Sequence, residues 1–427
     1  MFSTVDFFSD LIRQNKSGSG ASVCSVCSAN ALVIAAAMQH CRRTGKPLLL
    51  EATANQVNQF GGYTGMTPAD FVSYVHGIAA RQDFDPERIL FGGDHLGPLV
   101  WSDEPEAEAM QKAEALVAAF AAAGFQKIHL DCSMRLASDD PAAPLSPAAV
   151  AARAARLAAV AEASHPAGRP PVYVVGSEVP IPGGATTHED ALAVTRPEAM
   201  QEELTLFRAA FSARQLDAAW QRVIAIVVQP GVEFGDDQVF LYQHEQAKAL
   251  SACAAAYPSI AMEGHSTDYQ PEACLSAMKR DGLAILKVGP ALTFAMRSAL
   301  FALEAIERAV YPETPAGGYS DFQAVLEAAM LAEPKNWIRH YHGDEASLML
   351  QRKYSLSDRC RYYMDTPSVQ TAQARLFRNF DAAPVPSGLL AQFFPRQFDE
   401  VIAKRLTPDA ECLVFRQIQY VLETYDA

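Results

Sequence analysis

The chain has 427 residues, 50% of them hydrophobic, and a formal net charge of −14 at pH 7. No stretch gathers lysine and arginine into a basic stripe, so the charge argues against a nucleic-acid partner and against an anionic membrane surface. No apolar run approaches the roughly 20 residues that span a bilayer, the first residues lack a signal-peptide pattern, and the eight cysteines are scattered, so we expect a cytoplasmic protein with reduced thiols.

Short and long segments alternate over the first three quarters of the chain. A capped helix is predicted over residues 3–15. After it, short apolar runs alternate with alanine-rich segments of helical period, which is typical of βα units around a parallel sheet. The predicted strands cover residues 23–28, 48–52, 89–93, 127–132, 172–177, 223–229, 260–264 and 284–289. The predicted helices between them cover residues 29–43, 67–81, 104–123, 146–163, 188–214, 238–257, 271–279 and 292–310.

Eight alternating pairs match the count of a TIM (β/α)₈ barrel, an α/β fold, although a doubly wound open sheet could hold as many units. Near Gly317 the alternation stops, and apolar positions of helical period recur in four later segments, at residues 322–331, 347–350, 369–380 and 410–425. We therefore predict a barrel with an N-terminal helix over residues 1–316. A helical extension over residues 317–427 is expected to pack on the barrel or at a subunit interface, and we expect a homo-oligomer.

Polar residues follow the predicted strands, at the point where barrel strands converge on one mouth. The third strand ends on two glycines followed by Asp94 and His95, and the other ends carry Glu51, His129, Asp131, Glu178, Gln229, Glu263, His265 and Lys287. Burying so many ionisable groups is costly unless they pair or bind a metal. Imidazoles with carboxylates and an amide suit Zn²⁺, Co²⁺, Ni²⁺ or Mn²⁺.

Two of these assignments have ordinary structural alternatives. Asp131 or Glu178 could simply accept hydrogen bonds from backbone amides at the rim of the barrel. His129 lies two residues before Asp131, so both point to the same side of their strand. We interpret His129 as a core histidine that is satisfied by a neighbour.

The loops after the seventh and eighth strands are common phosphate sites in barrels, because backbone amides and a helix N-terminus favour an anion there. Here the candidate residues are Ser266, Thr267, Asp268 and Gly289, with Arg297 one turn into the next helix. A sugar phosphate is the expected ligand, and a pair of ordinary tight turns is the alternative. The further candidates for substrate contact are Glu51, Gln56 and Lys287.

Seven stretches of the chain resemble the GatZ/KbaZ family, the tagatose-1,6-bisphosphate aldolase subunits of galactitol and N-acetylgalactosamine catabolism. They include Gly-Gly-Asp-His-Leu-Gly-Pro at 92–98, Gly-His-Ser-Thr-Asp-Tyr-Gln at 264–270 and Tyr-Ser-Leu-Ser-Asp-Arg-Cys-Arg-Tyr-Tyr at 354–363; the others lie at 50–71, 127–134, 228–234 and 286–294. The resemblance implies a class II aldolase-like barrel with a helical tail.

The resemblance also implies roles for the strand-end residues. Asp94 is similar to the acid/base aspartate of class II aldolases, and Asp131 and Glu178 are further catalytic candidates. His95 and His265 would hold a divalent metal, zinc first and manganese, cobalt or nickel as alternatives, together with Glu178 or Gln229. Gln229 stands where the family pattern of aldolases has a histidine, and Gly289 where it has an asparagine.

Two functions follow as expectations. The first is a metal-dependent enzyme acting on a phosphorylated ketohexose of tagatose metabolism, most concretely a 4-epimerase that works by retro-aldol and aldol steps. The second is a non-catalytic subunit that stabilises a class II aldolase partner. A sugar-phosphate kinase is disfavoured because the sequence has no P-loop or similar glycine motif.

Overall fold

The computed structural model describes residues 3–143, 145–176, 192–311, 313–315, 317–381 and 384–426. Eight parallel strands close into a barrel in the spatial order β1-β10-β9-β6-β5-β4-β3-β2, which confirms the TIM barrel and rules out the open sheet. These strands are β1 (Val23–Cys27), β2 (Leu48–Thr53), β3 (Ile89–Leu96), β4 (Lys127–Leu130), β5 (Val172–Val175), β6 (Val223–Val228), β9 (Ala261–Gly264) and β10 (Leu283–Val288). The short strands β7 (Glu233–Phe234) and β8 (Val239–Phe240) form a separate antiparallel pair.

The helices of the barrel region are α1 (Thr4–Gln14), α2 (Ala31–Thr44), α3 (Pro68–Arg81), α4 (Glu106–Ala122), α5 (Pro147–Ser164), α6 (Pro197–Ala213), α7 (Asp217–Trp220), α8 (His244–Ala254), α9 (Glu272–Arg280) and α10 (Pro290–Val310). The tail adds α11 (Phe322–Ala332), α12 (Glu345–Tyr354), α13 (Pro367–Arg378), α14 (Ser387–Phe393), α15 (Pro395–Ile402) and α16 (Ala410–Asp426). Within the described ranges, no helix is both long enough and apolar enough to cross a membrane.

Two predicted helices were too long. The helix predicted over 188–214 begins at Pro197, and residues 188–191 lie outside the described chain. The helix predicted over 238–257 begins at His244, because the preceding residues pair as the β7–β8 hairpin. Its turn contains Gly235 and two aspartates, which are turn-forming residue types that break a helical period.

Helix α1 closes the amino-terminal end of the barrel. Phe8 and Ile12 are buried in a cluster with residues from the strands, among them Val23, Leu49 and Leu90. The apolar layer at this end leaves the carboxyl ends of the strands as the open mouth. Every polar strand-end residue of the described chain therefore faces one region.

The tail continues the hydrophobic core of the barrel. Residues of α11, α13 and α16 belong to the same buried cluster as the barrel helices. In the last turn of α16, Asp426 contacts His40 at 2.7 Å and Lys46 at 2.9 Å, both from the region of α2. The Tyr425 hydroxyl donates to the Thr267 carbonyl oxygen at 2.7 Å. The end of the chain thus holds together parts of the barrel that are distant in sequence.

Strands β3 and β4 approach each other very closely at the mouth. A Cβ atom at Gly97 would lie 1.7 Å from the carbonyl oxygen of Asp131, which is inside van der Waals contact. Only glycine fits at this position. The glycine that follows β3 is therefore a packing requirement that lets Asp94 and Asp131 share one site.

Candidate active site at the carboxyl ends of the strands

A layer of paired charges lies inside the barrel below the mouth. The ammonium group of Lys127 is 2.8 Å from Glu51 and 2.8 Å from Glu263, and all three side chains are completely buried. The ammonium group of Lys287 contacts Asp94 and lies 3.2 Å from Glu51. Each charge has an opposite charge beside it, which is the condition for burying ions in a protein interior.

Both lysines are held in the protonated form. Burial alone would lower the pKa of each, but Glu263 and Glu51 raise the pKa of Lys127 above its usual value. Asp94 and Glu51 raise the pKa of Lys287 well above its usual value in the same way. A lysine that forms an imine with a ketose must lose its proton first. The paired lysines therefore do not suit Schiff-base chemistry.

Three imidazoles meet above this layer. The ring centroids of His95, His129 and His265 are 5.0 to 5.1 Å from one another. His95 Nδ1 is 2.7 Å from Asp131, and His265 Nε2 is 3.0 Å from Glu263. A carboxylate on one ring nitrogen fixes the orientation of an imidazole and leaves the other nitrogen available.

The three histidines differ in their proton affinity. Burial would lower the pKa of His95, but the Asp94 and Asp131 carboxylates raise it above its usual value. Burial lowers the pKa of His129, and it lowers that of His265 to about 3, with the Lys287 charge acting in the same direction. His129 and His265 are therefore neutral at pH 7, as metal ligands must be.

Backbone irregularities direct two of the pocket residues. His95 has a φ of +50°, and the pairing of β3 with β4 shifts register between Gly93 and Leu96. Ser266, next to His265, has a φ of +52°. Non-glycine residues in this left-handed region cost about 1–3 kcal/mol each and concentrate at functional sites. At His95 the bulge turns the backbone so that the imidazole points to Asp131.

The donor set fits a divalent cation. Single ligand atoms of Asp94, His129, Glu263 and His265 all lie within 4.8 Å of one another. His129 Nε2 is buried without a hydrogen-bond partner, an exception to the rule that buried polar atoms are paired. Among the described residues, four buried carboxylates (Glu51, Asp94, Asp131 and Glu263) meet only two lysines, so neutral imidazoles would leave two negative charges unbalanced. A bound divalent cation would balance both.

A cavity of about 680 Å³, open to solvent, lies over this cluster. Its floor is formed by Asp94, His95, His265 and Lys287, and its wall includes Ser266, Asp268 and Gly289. On another side the rim carries Gln56 and Tyr63 from the β2–α3 loop, with Arg361 and Tyr362 from the tail.

The family described as D-tagatose-1,6-bisphosphate aldolase subunit GatZ/KbaZ-like matches residues 8–427. The chain belongs to this family. The sequence-based prediction of the GatZ/KbaZ family is thereby confirmed.

One solved structure is similar over nearly the whole chain. A probable tagatose 6 phosphate kinase from Sinorhizobium meliloti 1021 is 44% identical, with a TM-score of 0.87 over 95% of this chain and 99% of its own. Fructose-bisphosphate aldolase from Campylobacter jejuni is 11% identical, with a TM-score of 0.45 over 89% of this chain and 93% of its own. The YdjI aldolase from Escherichia coli K12 is 11% identical, with a TM-score of 0.42 over 90% and 100%. The two aldolase likenesses are too distant to bear on function.

Several residues predicted for substrate contact lie elsewhere in this GatZ/KbaZ-like barrel. Glu51 is completely buried beneath the cavity, where it pairs with lysines and accepts from Ser25 at 2.6 Å. Thr267 donates its hydroxyl to the Lys287 carbonyl oxygen at 2.6 Å. Arg297 is buried and donates to Asp358 at 2.7 Å. All three have polar partners inside the protein and are absent from the described lining of the cavity, so their role as substrate ligands stays a prediction.

At the start of α10, a side chain of the protein itself occupies the predicted phosphate site. Asp268 accepts hydrogen bonds from the amides of Gly289 at 3.0 Å and Ala291 at 2.8 Å. Those amides are the ones that would have met a phosphate. Burial raises the pKa of Asp268 to about 6, although these two bonds oppose the shift. A negatively charged ligand is disfavoured beside this carboxylate.

Three predicted site residues of the GatZ/KbaZ-like chain contact other partners or cannot be placed. The side-chain oxygen of Gln229 accepts from the amides of Gly231 at 2.8 Å and Val232 at 2.9 Å, so it points into its own loop. Asp131 lies behind His95 and also accepts from Ser133 at 2.6 Å, which gives it a positioning geometry. Glu178 lies outside the described residues.

Sequence reasoning missed part of the cluster. His129 was interpreted as a core residue whose hydrogen bonds are all made. Its Nδ1 does lie 3.0 Å from Asp94. Its buried Nε2, however, has no hydrogen-bond partner. Lys127 lies two residues before His129, and Glu263 two before His265, so strand alternation directs each pair to one side. That spacing was the signal for Lys127 and Glu263. Arg361 and Tyr362 carried no comparable signal, since they lie in the tail.

Replacing Lys127 by methionine should destabilise the protein, because Glu51 and Glu263 would lose the cation between them. We expect the free energy of unfolding to fall by about 3–5 kcal/mol, the usual cost of breaking a buried ion pair. Urea denaturation followed by circular dichroism measures this change. The exposed Lys248→Met variant is the control and should change it by less than about 0.5 kcal/mol. A loss below about 1 kcal/mol for Lys127→Met would mean that Lys287 alone balances both carboxylates.

Proposed function

We propose that this protein is a divalent-metal-dependent enzyme acting on phosphorylated ketohexoses of tagatose metabolism, and that it epimerises tagatose 6-phosphate at C4. One observation carries the proposal: a buried cluster of three imidazoles and surplus carboxylates reaches an open cavity through Asp94, His95 and His265. The family description, which concerns tagatose-bisphosphate aldolase subunits, supplies the substrate class. We place the protein in the cytoplasm and expect it to form homo-oligomers.

The ligands for the metal would come from His95, His129, His265 and Glu263, and the metal would supply polarisation of the C2 carbonyl. Asp131 and Glu263 orient two of the imidazoles by hydrogen bonds. Gln229, another ligand expected from the sequence, would have to leave its bonds to the amides of its own loop. Glu178 also remains a candidate and lies outside the described residues.

Asp94 is the proposed acid/base. Burial would raise its pKa, but His95 and Lys287 hold the pKa well below its usual value, so the group is ionised. Its carboxylate accepts the C4 hydroxyl proton as the C3–C4 bond breaks, and the electron pair of that bond passes into a C2–C3 enediolate. The ammonium of Lys287 offsets the negative charge. After the aldehyde rotates, the bond re-forms on its other face and Asp94 returns the proton to the C4 oxygen.

Metal content is the first test. We expect the purified chain to carry about one divalent ion, measured by inductively coupled plasma mass spectrometry, because the donor atoms converge. His95→Ala and His265→Ala should each lower that content at least about tenfold. The exposed His342→Ala variant is the control and should retain it. If wild-type protein still contains no metal after incubation with zinc, manganese, cobalt and nickel, the proposed cofactor is contradicted.

Turnover is the second test. Metal-loaded protein should convert tagatose 6-phosphate into fructose 6-phosphate, followed by nuclear magnetic resonance. In heavy water the product should carry no carbon-bound deuterium at C4, because cleavage of C3–C4 never breaks the C4–H bond. Asp94→Asn should lower kcat by about 10²–10⁴-fold at unchanged metal content. If neither fructose 6-phosphate nor trioses form, the proposed activity is lost.

A non-catalytic aldolase subunit is the second candidate, and a specific contact favours it. The Lys287 ammonium lies against Asp94 and 3.7 Å from Glu263, so an internal cation already occupies part of the cluster that a metal would need. The family description also names a subunit. In this reading the barrel acts by binding a class II aldolase.

Under the second candidate, the chain should bind a class II tagatose-bisphosphate aldolase at micromolar concentration and lengthen the half-life of its activity. The doubly substituted His95→Ala, His265→Ala protein should do so equally well, since binding needs no chemistry in the cavity. Analytical ultracentrifugation and thermal inactivation measure these effects. Failure of the wild-type chain to associate would exclude this role.

A further inference from the structure

The tail segment 354–363 brings an arginine to the substrate cavity, and neither the proposed chemistry nor the metal cluster uses it. Arg361 and Tyr362 both line the cavity and are partly buried. Tyr362 packs edge to face on Tyr63, with ring centroids 4.9 Å apart. The tail and the β2–α3 loop therefore meet at the rim, and the arginine is presented there.

The guanidinium of Arg361 is held in place without a carboxylate. One Nη atom donates to the carbonyl oxygens of Ser357 and Asp358, and the other donates to the Tyr362 hydroxyl at 2.9 Å. The guanidinium also stacks 4.4 Å from the Tyr362 ring centroid. Across the described ranges, no acidic side chain lies within ion-pairing distance of Arg361. Its positive charge is oriented and has no direct ion pair, and the carboxylates of Asp358 and Asp268 act on it only from a longer distance.

Two arginines act on the Tyr362 side chain at the rim. Burial would raise the pKa of Tyr362, but the charges of Arg361 and Arg359 lower it below its usual value. The guanidinium carbon of Arg359 lies 5.3 Å from the centroid of the Tyr362 ring. Its Nε donates to the Asn336 carbonyl oxygen, which leaves Arg361 as the arginine that faces the cavity.

The segment that carries Arg361 is fixed to the barrel by buried contacts. The Arg297–Asp358 ion pair joins α10 to the segment three residues before Arg361. The Tyr269 hydroxyl donates to the Leu356 carbonyl oxygen, and the Leu356 amide donates to the Asp236 carbonyl oxygen at 2.7 Å. Arg297, which the sequence suggested as a phosphate ligand, thus positions the arginine that is free to bind one.

We propose that Arg361 binds the terminal phosphate of the ketohexose substrate. A guanidinium presents a planar fork of donors that matches a phosphate, and a pre-positioned fork loses little entropy on binding. The alternative anion site, at the start of α10, is filled by Asp268. The identity of the sugar rests on the proposed function; the assignment of the phosphate end rests on the charge and position of Arg361.

This position has a consequence for the retro-aldol step. In a ketohexose 6-phosphate, cleavage of C3–C4 leaves the phosphate on the C4–C6 aldehyde fragment. A phosphate held by Arg361 would retain that fragment while its aldehyde group rotates, because only the bonds between C4 and the anchored end need to turn. Arg361 would therefore favour re-addition over release of trioses.

The test compares Arg361→Gln with wild-type protein on tagatose 6-phosphate and on unphosphorylated tagatose. For the phosphorylated sugar we expect kcat/KM to fall about 100-fold and the ratio of released trioses to epimer to rise. For tagatose the change should stay below about threefold. Arg361→Lys, which keeps the charge but loses the fork, should fall between the two. The exposed Arg339→Gln variant is the control and should match wild type on both sugars.

Calorimetric binding to the metal-loaded protein separates this proposal from the proposed function. Wild-type protein that binds tagatose 6-phosphate more tightly than tagatose, with the difference removed by Arg361→Gln, supports the phosphate site even if neither sugar is converted. Equal losses of affinity for both sugars, or no loss for either, would overturn it. Circular dichroism and unchanged metal content confirm that each variant is folded.

Discussion

The structure depends on the pairing of charges inside the barrel. Lys127 lies between Glu51 and Glu263 with no exposure to water, and Lys287 joins the same carboxylates to Asp94. Moving a single ion into such an interior costs several kcal/mol unless partners compensate for the lost hydration. The barrel therefore needs five strands in correct register before these charges are all paired. The same register brings Asp94 beside the imidazoles. The strand pairing that stabilises the buried charges therefore also positions the residues of the candidate site.

The tail shapes the other half of the cavity. Strand ends supply the floor, but Arg361 and Tyr362 in the lining come from the tail, far beyond the last strand. The ion pair between Arg297 and Asp358 is buried, and Arg297 also stacks 4.2 Å from the ring centroid of Phe294. Such a contact makes the segment a fixed part of the pocket wall. The barrel and its extension are thus parts of one site.

Sequence reasoning recovered the barrel because period-2 and period-3.6 patterns are local properties. It placed Asp94, His95, His265 and Lys287 at the mouth because carboxyl ends of parallel strands converge. It did not foresee the hydrogen-bond partners that decide what some of these side chains do. Arg297 has the chemistry of a phosphate ligand, yet Asp358, distant in sequence, takes its donors. Asp268 and Gln229 likewise bond to nearby amides that only the folded loop brings within reach.

The contact of His40 with Asp426 joins residues 386 positions apart, and β1 pairs with β10 at the same seam. Chains dominated by such non-local contacts fold slowly, since a large loop must close before the contact stabilises anything. During synthesis β1 and α2 lack these partners until β10 and α16 have been made. Until then the apolar surfaces at this seam are uncovered, which is the state in which large proteins depend on chaperones.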